Sequence, residues 1–324
     1  MNHPPENPPP RPTHAGLELV GELRGEALRL GFSRVGVAAA VPPPNHGAFR
    51  GWLAAGLAGS MQGWLERHEP LRRNLDAILP GASSVVMLAT DYAVGDSPAA
   101  ESVPPGAGRV ARYARGDDYH DLLRERLNAL AGWLEVRVPG TRARGVVDSA
   151  PLAERDFAWL AGLGWFGKNT MLIDPRSGSY FLLAALVTDL ELPAEEPLDT
   201  DHCGTCTACL DACPTGAFPA PRVLDATKCI AAITIEDHGP VAESRRADLG
   251  DWIFGCDVCQ EVCPWNRHAP GSTEPAFEPR GSEASLSLAD LLALDNATFR
   301  MRFRGSPILR AKRRGLLRSA AIVL

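Results

Sequence analysis

The chain has 324 residues, 45% of them hydrophobic and 22% charged, and a formal net charge of −6. That length accommodates two or three domains and a sizeable core, and no apolar run reaches the roughly 20 residues that a membrane-spanning helix needs. The opening MNHPPENPPPRPTH is Pro-rich and polar, which argues against an export signal and predicts a disordered tail over 1–14 and a cytoplasmic protein.

An amphipathic pattern over 17–31 predicts a helix, with a short strand at 35–39. A further helix is expected over 48–67, and the β-branched run at 83–90 reads as a buried strand. Helices are predicted over 118–134 and 152–161, and strands over 145–147, 170–173 and 180–188. Strands separated by helices describe an α/β (α+β) domain with a covered sheet over 15–195. A Pro- and acid-rich linker closes it, a cysteine-bearing domain is expected over 196–270, and a helical, basic segment over 271–324. Gly162, Gly164 and Gly167 match G-x-G-x-x-G, and with Lys168 they nearly spell a phosphate-binding loop. Both motifs need a strand before and a helix after. Here the order is reversed, so neither nucleotide reading holds.

Chemistry concentrates in the cysteines. Cys203, Cys206, Cys209 and Cys213, followed by Pro214, spell C-x2-C-x2-C-x3-C-P. In bacterial two-cluster ferredoxins the first three thiolates of such a run hold one iron–sulfur cluster and the fourth ligates the other. The remaining cysteines are Cys229, Cys256, Cys259 and Cys263, the last followed by Pro264. The predicted ligand sets are Cys203, Cys206, Cys209 and Cys263 for one 4Fe–4S cluster, and Cys213, Cys229, Cys256 and Cys259 for the second. Cys229 stands far from its partners, so an insertion interrupts the second half-motif. Disulfides would need an oxidising compartment. Zinc sites pair C-x2-C elements across a loop, and three consecutive short spacings ending in Cys-Pro suit cubane clusters better.

Charge is unevenly distributed. Arg300, Arg302, Arg304, Arg310, Lys312, Arg313, Arg314 and Arg318 crowd one stretch with no acid among them, on an otherwise acidic chain. A basic stretch on an acidic body is a candidate phosphate-binding surface, with a solvated helix face as the alternative.

Several stretches together resemble the epoxyqueuosine reductase family. They are YARGDDYH at 113–120, VVDSAPLAER at 146–155, AGLGWFGKNT at 161–170, GSYFLLAALVTD, the cysteine segments and RGSPILRAKRRGLLRSA at 304–320. The resemblance covers nearly the whole chain from about residue 17. It implies the last step of queuosine biosynthesis, reduction of epoxyqueuosine at the tRNA wobble position. It also implies a cobalamin in an N-terminal domain similar to corrinoid reductive dehalogenases, followed by a two-cluster ferredoxin-like domain. The D-x-H-x-x-G motif that supplies a cobalt-ligating His in many cobalamin enzymes is absent from the sequence.

By that resemblance Asp148 is the general acid, a carboxyl kept protonated in a dry pocket beside the corrinoid. Arg155 contacts the tRNA, Arg72 lies near the corrinoid, and Cys256 and Asp257 bring a cluster up to it. Asn74 and Leu75 depart from the family's element around Arg72. Arg310, Lys312, Arg313 and Arg314 are expected to meet tRNA phosphates. Tyr119 and His120 suit either a pocket role or a packed helix start. The implied partners are tRNA bearing epoxyqueuosine and an external low-potential electron donor, with a monomer and no membrane. Many relatives continue into a longer helical repeat, so 271–324 is expected to be a reduced or truncated form of it. A corrinoid reductase of small molecules and a ferredoxin-like carrier are the competing functions. The basic stretch disfavours the first, and the large N-terminal domain disfavours the second.

Overall fold

The computed structural model describes residues 14–94, 103–198, 200–281 and 284–324. The Pro-rich tail lies outside these residues except for His14, which begins the first helix. α1 spans His14–Arg29 and leads into β1, Arg34–Ala39. The helix expected over 48–67 is two, α2 (His46–Ala54) and α3 (Gln62–Arg73). Gly56 and Gly59 separate them at φ 70° and 57°, a left-handed backbone that glycine adopts without strain and that ends a helix.

β2 (Ser84–Asp91) is the buried strand expected from its apolar run, and β3 (Ala107–Val110) follows. α4 (Tyr119–Arg137) starts at an Asp118 N-cap whose side chain accepts from the His120 amide. β4 (Ala143–Val146), α5 (Glu154–Leu160), the short pair β5 (Trp165–Phe166) and β6 (Leu172–Ile173), and β7 (Phe181–Thr188) complete the N-terminal half.

The main sheet has the order β1-β2-β7-β4, and every neighbouring pair is antiparallel. Alternation along the central strands serves two cores. Val86, Leu88, Ala184 and Leu186 pack with the α1 and α4 residues Leu23, Leu123, Leu127 and Leu130. Val85, Met87, Ala185 and Val187 pack on the other face with Phe157 and Ala158 of α5. A strand buried on both faces reads as a continuous apolar run whichever way it pairs, so its sequence predicts burial and leaves direction open. Gly145 lets α4 lie against β4, since a Cβ there would meet Leu127 Cβ at 2.5 Å.

After the sheet come α6 (Ala208–Asp211), α7 (Ile230–Ile235), β8 (Trp252–Phe254) and α8 (Val258–Glu261), with Cys209 in α6, Cys259 in α8 and the other cysteines in the segments around them. β9 (Ser285–Ser287), α9 (Leu288–Leu292), α10 (Asn296–Arg302) and α11 (Lys312–Val323) end the chain. β3 pairs with β8 and β9 in a second sheet, so the three predicted segments are tied together by backbone hydrogen bonds. Its core joins Ile253 and Phe254 to Leu286, Phe299, Phe303 and Leu316. The same packing holds the loop before α4. The Asp117 amide donates to Ala276 O, and the Asp118 amide donates to Gly305 O at 2.8 Å.

Candidate active site and cluster centres

The turn after β4 delivers Asp148 to the wall of a cavity of about 1030 Å³. Arg72, Glu154, Arg155, Thr170, Arg222 and the rings of Phe49, Trp52 and Trp159 share that wall. The cavity lies between α2–α3, the 148–156 segment and the stretch around Cys229. Two hydrogen bonds fix that last contact: Trp52 Nε1 donates to Leu224 O at 2.6 Å, and the Ala226 amide donates to Leu57 O at 2.8 Å. The stretch on either side of Cys229 thus furnishes cavity wall through Leu224, Ala226 and Ala232, the last of them within the insertion.

Asp148 sits in a chain of hydrogen bonds. Tyr119 Oη donates to Asp148 Oδ2 at 2.5 Å, and His120 Nε2 lies 2.7 Å from Asp148 Oδ1. His120 Nδ1 lies 2.7 Å from Asp118 Oδ1, so one imidazole bridges two carboxylates. Partial burial disfavours a charged His120, but the bonds to Asp118 and Asp148 outweigh it and lift its pKa to about 9. Partial burial would likewise raise Asp148, and His120 with Tyr119 overcomes it, leaving the carboxyl below its ordinary value. Both shifts favour the proton on His120 over Asp148, the opposite of the protonated Asp148 expected from the resemblance. Sequence alone leaves Tyr119 and His120 undecided. Their signal is the D-Y-H segment, and Asp118 as N-cap is what turns His120 toward Asp148.

Among the described residues, three buried polar atoms at this cavity have no hydrogen-bond partner: Arg72 Nε, Glu154 Oε1 and Trp165 Nε1. Arg72 Nη1 donates to Leu152 O at 2.8 Å, and the guanidinium stands 5.9 and 5.7 Å from the Phe49 and Trp64 ring centres. A roomy cavity with aromatic walls and unmatched polar atoms fits a flat macrocycle fringed with amides, as a corrinoid is. Arg155 Nη1 donates to Thr170 O at 2.5 Å, which points its head along the cavity rim. Thr170 and Arg222, also on the rim, hold left-handed backbone at φ 66° and 65°. Such strain in non-glycine residues gathers at functional sites, and no sequence signal marks it.

Cys256 and Asp257 are off the cavity wall. Asp257 is 1% exposed and its Oδ2 accepts from the Arg112 amide at 2.7 Å, so its carboxyl is committed to the loop before α4. The basic stretch is only partly open. Arg310 pairs with Glu236 at 2.8 Å, Arg313 Nε donates to Leu294 O at 2.6 Å, and Lys312 and Arg314 are exposed. Arg310 also feels the charge of Asp148.

The cysteines gather around two places in the fold. Cys203, Cys206, Cys209 and Cys263 border one space of about 50 Å³. Cys256 and Cys259 are electrostatic neighbours of Cys229, and Cys256 also of Cys213. All eight are free thiols. Among the described residues no three His, Cys, Asp or Glu side chains converge tightly enough to hold one ion. The first four thiols border a space, as a cubane needs. Lys168, which nearly completes the nucleotide motif, donates to Gly204 O and Cys206 O at 2.7 and 2.9 Å; it braces the first cluster loop.

Comparisons with known proteins agree with this geometry. Residues 202–266 match the family profile of a 4Fe-4S double cluster binding domain, and residues 72–149 match that of epoxyqueuosine reductase QueG. The epoxyqueuosine reductase of Xanthomonas campestris pv. campestris is 42% identical over 317 residues, covering 97% of this chain and 88% of its own. That of Escherichia coli K12 is 37% identical, covering 95% and 81%. A crystal structure of epoxyqueuosine reductase with an epoxyqueuosine-modified tRNA stem loop superposes with a TM-score of 0.88 at 31% identity, covering 95% of this chain and 81% of that one. Among the described residues no helix is long and apolar enough to cross a membrane. With such identity sustained along almost its full length, the chain belongs to the epoxyqueuosine reductase family.

Proposed function

We propose that this chain reduces epoxyqueuosine to queuosine in tRNA, with cobalamin in the 1030 Å³ cavity and two 4Fe–4S clusters in the cysteine groups. The observation that carries the reading is the Tyr119–Asp148–His120–Asp118 hydrogen-bond chain on the wall of that cavity. When bound, the clusters and the cobalamin supply electrons to the epoxide.

Removing the epoxide oxygen as water takes two electrons and two protons. His120 stores one of these protons near neutrality, Asp148 hands it on as negative charge develops on the oxygen, and solvent water supplies the second as the oxygen leaves. An opened epoxide leaves an alkoxide, a far stronger base than either group, so the transfer runs downhill. Tyr119 holds the second Asp148 oxygen and fixes which one faces the cavity. Arg72 and the aromatic wall would hold the corrinoid, and Arg155 on the rim would orient the nucleotide. A wobble base must be presented out of its stack to enter such a cavity. The N-terminal domain thus carries the reaction, the cysteine domain feeds it, and an external low-potential donor reduces the clusters in the cytoplasm.

The decisive experiment is anaerobic turnover of tRNA bearing epoxyqueuosine by reconstituted protein, cobalamin and a strong reductant, with nucleosides read by mass spectrometry. Cobalamin-dependent loss of one oxygen supports the reading. Intact clusters and bound cobalamin without conversion would end it in favour of a small-molecule reductase.

The basic stretch gives a separate expectation. Converting Arg310, Lys312 and Arg314 to Gln, sparing the Arg313 bond to Leu294 O, should weaken tRNA binding. The slope of log K against log salt should flatten by up to about 1 for each phosphate that the variant no longer neutralises. An unchanged slope in a filter-binding titration would return the stretch to a solvated face.

A further inference from the structure

The turn between β5 and β6, residues 166–170, reaches the cavity and both cysteine groups. Phe166 and Thr170 line the cavity, while Lys168 and Asn169 line the space bordered by Cys203, Cys206, Cys209 and Cys263. Lys168 donates to Gly204 O and Cys206 O, so it holds the first group. Asn169 spans both. It is 3% exposed, its Nδ2 donates to Cys259 O at 3.2 Å, and its Oδ1 accepts from the Met171 amide at 3.2 Å. The turn is anchored from outside as well, by Arg155 Nη1 on Thr170 O and the Arg222 amide on Lys168 O. α6, with Cys209, packs against α8, with Cys259, so the two groups are near neighbours at this point.

We infer that Asn169 is a positioning residue that sets the separation and orientation of the two cysteine groups, and with them of the clusters. This rests on the two cluster-ligand groups proposed above. Partners outside the ligand shell fix how the ligands present themselves, and losing one costs about 10–100-fold in affinity or activity. Here the partner is a buried amide with its donor and its acceptor both in use. Without it the Cys259 loop loses its tie to the turn, while every thiol that would bind iron remains. Electrons pass between clusters at a rate that depends steeply on their separation. The tie therefore acts on the supply of electrons to the cavity and not on the cavity itself.

Wild type, Asn169→Ala and Asn169→Ser, loaded with iron and sulfide and reduced with dithionite, test this by iron counting and low-temperature electron paramagnetic resonance. Two reduced clusters split each other's lines, an interaction that falls with the cube of their separation. Asn169→Ala removes both bonds. Asn169→Ser keeps a hydroxyl to accept from the Met171 amide and is too short to reach Cys259 O. Both variants should retain the iron content of wild type and its affinity for aquacobalamin, and should show altered splitting. Turnover of modified tRNA should fall about tenfold with KM unchanged. Wild-type splitting in a fully loaded variant overturns the inference. Loss of one cluster from both variants overturns it too, since Asn169 would then serve cluster assembly rather than spacing. A wild type that loads fewer than two clusters would instead bring down the ligand groups on which the inference rests.

Discussion

Asp148→Ala is expected to cut turnover by about 10²–10⁴-fold, the range for losing a positioned proton donor. Cluster absorbance and cobalamin uptake should persist, because Asp148 makes no contact with a cysteine group and its hydrogen bonds run to Tyr119 and His120. The variant also changes a neighbour. His120 owes its raised pKa to Asp118 and Asp148 together, so removing one carboxylate lets it fall toward the ordinary imidazole value. In wild type the stored proton is present below about pH 9 and lost above it, so activity should decline as the pH rises through that value. Residual Asp148→Ala activity should decline at lower pH. Anaerobic single-turnover rates across pH would check both limbs. Full activity in the variant would remove Asp148 from proton delivery, and an unshifted profile would remove His120 as the store.

How far this site is legible in the sequence depends on the range of the interactions that build it. The cysteine spacing is local and chemical, so the double-cluster domain is readable before any fold. The apolar run of β2 announces a buried strand, and Asp118 announces the start of α4. The antiparallel order β1-β2-β7-β4 is hidden because a strand covered on both faces carries no directional pattern. The ionisation of Asp148 escapes the sequence for a related reason. Its pKa answers to His120, 28 residues away in sequence, and only the N-cap geometry of Asp118 brings them together. Arg310 reads as a free phosphate ligand until the fold sets it against Glu236, 74 residues earlier. Glu154 stands beside Arg155 in the VVDSAPLAER segment, and nothing local distinguishes a buried acid from a helix-surface one.

Cys256→Ala should strip one cluster and spare the other, leaving about half the iron of wild type. The expected partition has support in the fold. Cys256 leaves β8, which is held to β3 by parallel pairing, and its thiol neighbours are Cys229 and Cys213. The other group closes on its own space with Lys168 bracing its loop. Burial pushes the Cys256 and Cys259 thiols well above their ordinary values, so without iron these sulfurs stay protonated and the group gains nothing by remaining assembled. Iron counting with low-temperature electron paramagnetic resonance of the reduced protein should show a single cluster signal with no coupling between two. Cys206→Ala is the reciprocal case, with an exposed cysteine of the first group and the opposite signal surviving. Loss of all iron from both variants, with the circular dichroism of the wild type retained, would mean the two groups assemble as one unit and would overturn the partition. Because the Cys229 stretch is also cavity wall, Cys256→Ala should weaken cobalamin binding while Cys206→Ala leaves it intact. That contrast separates the cluster coupled to the cavity from the one open to a donor.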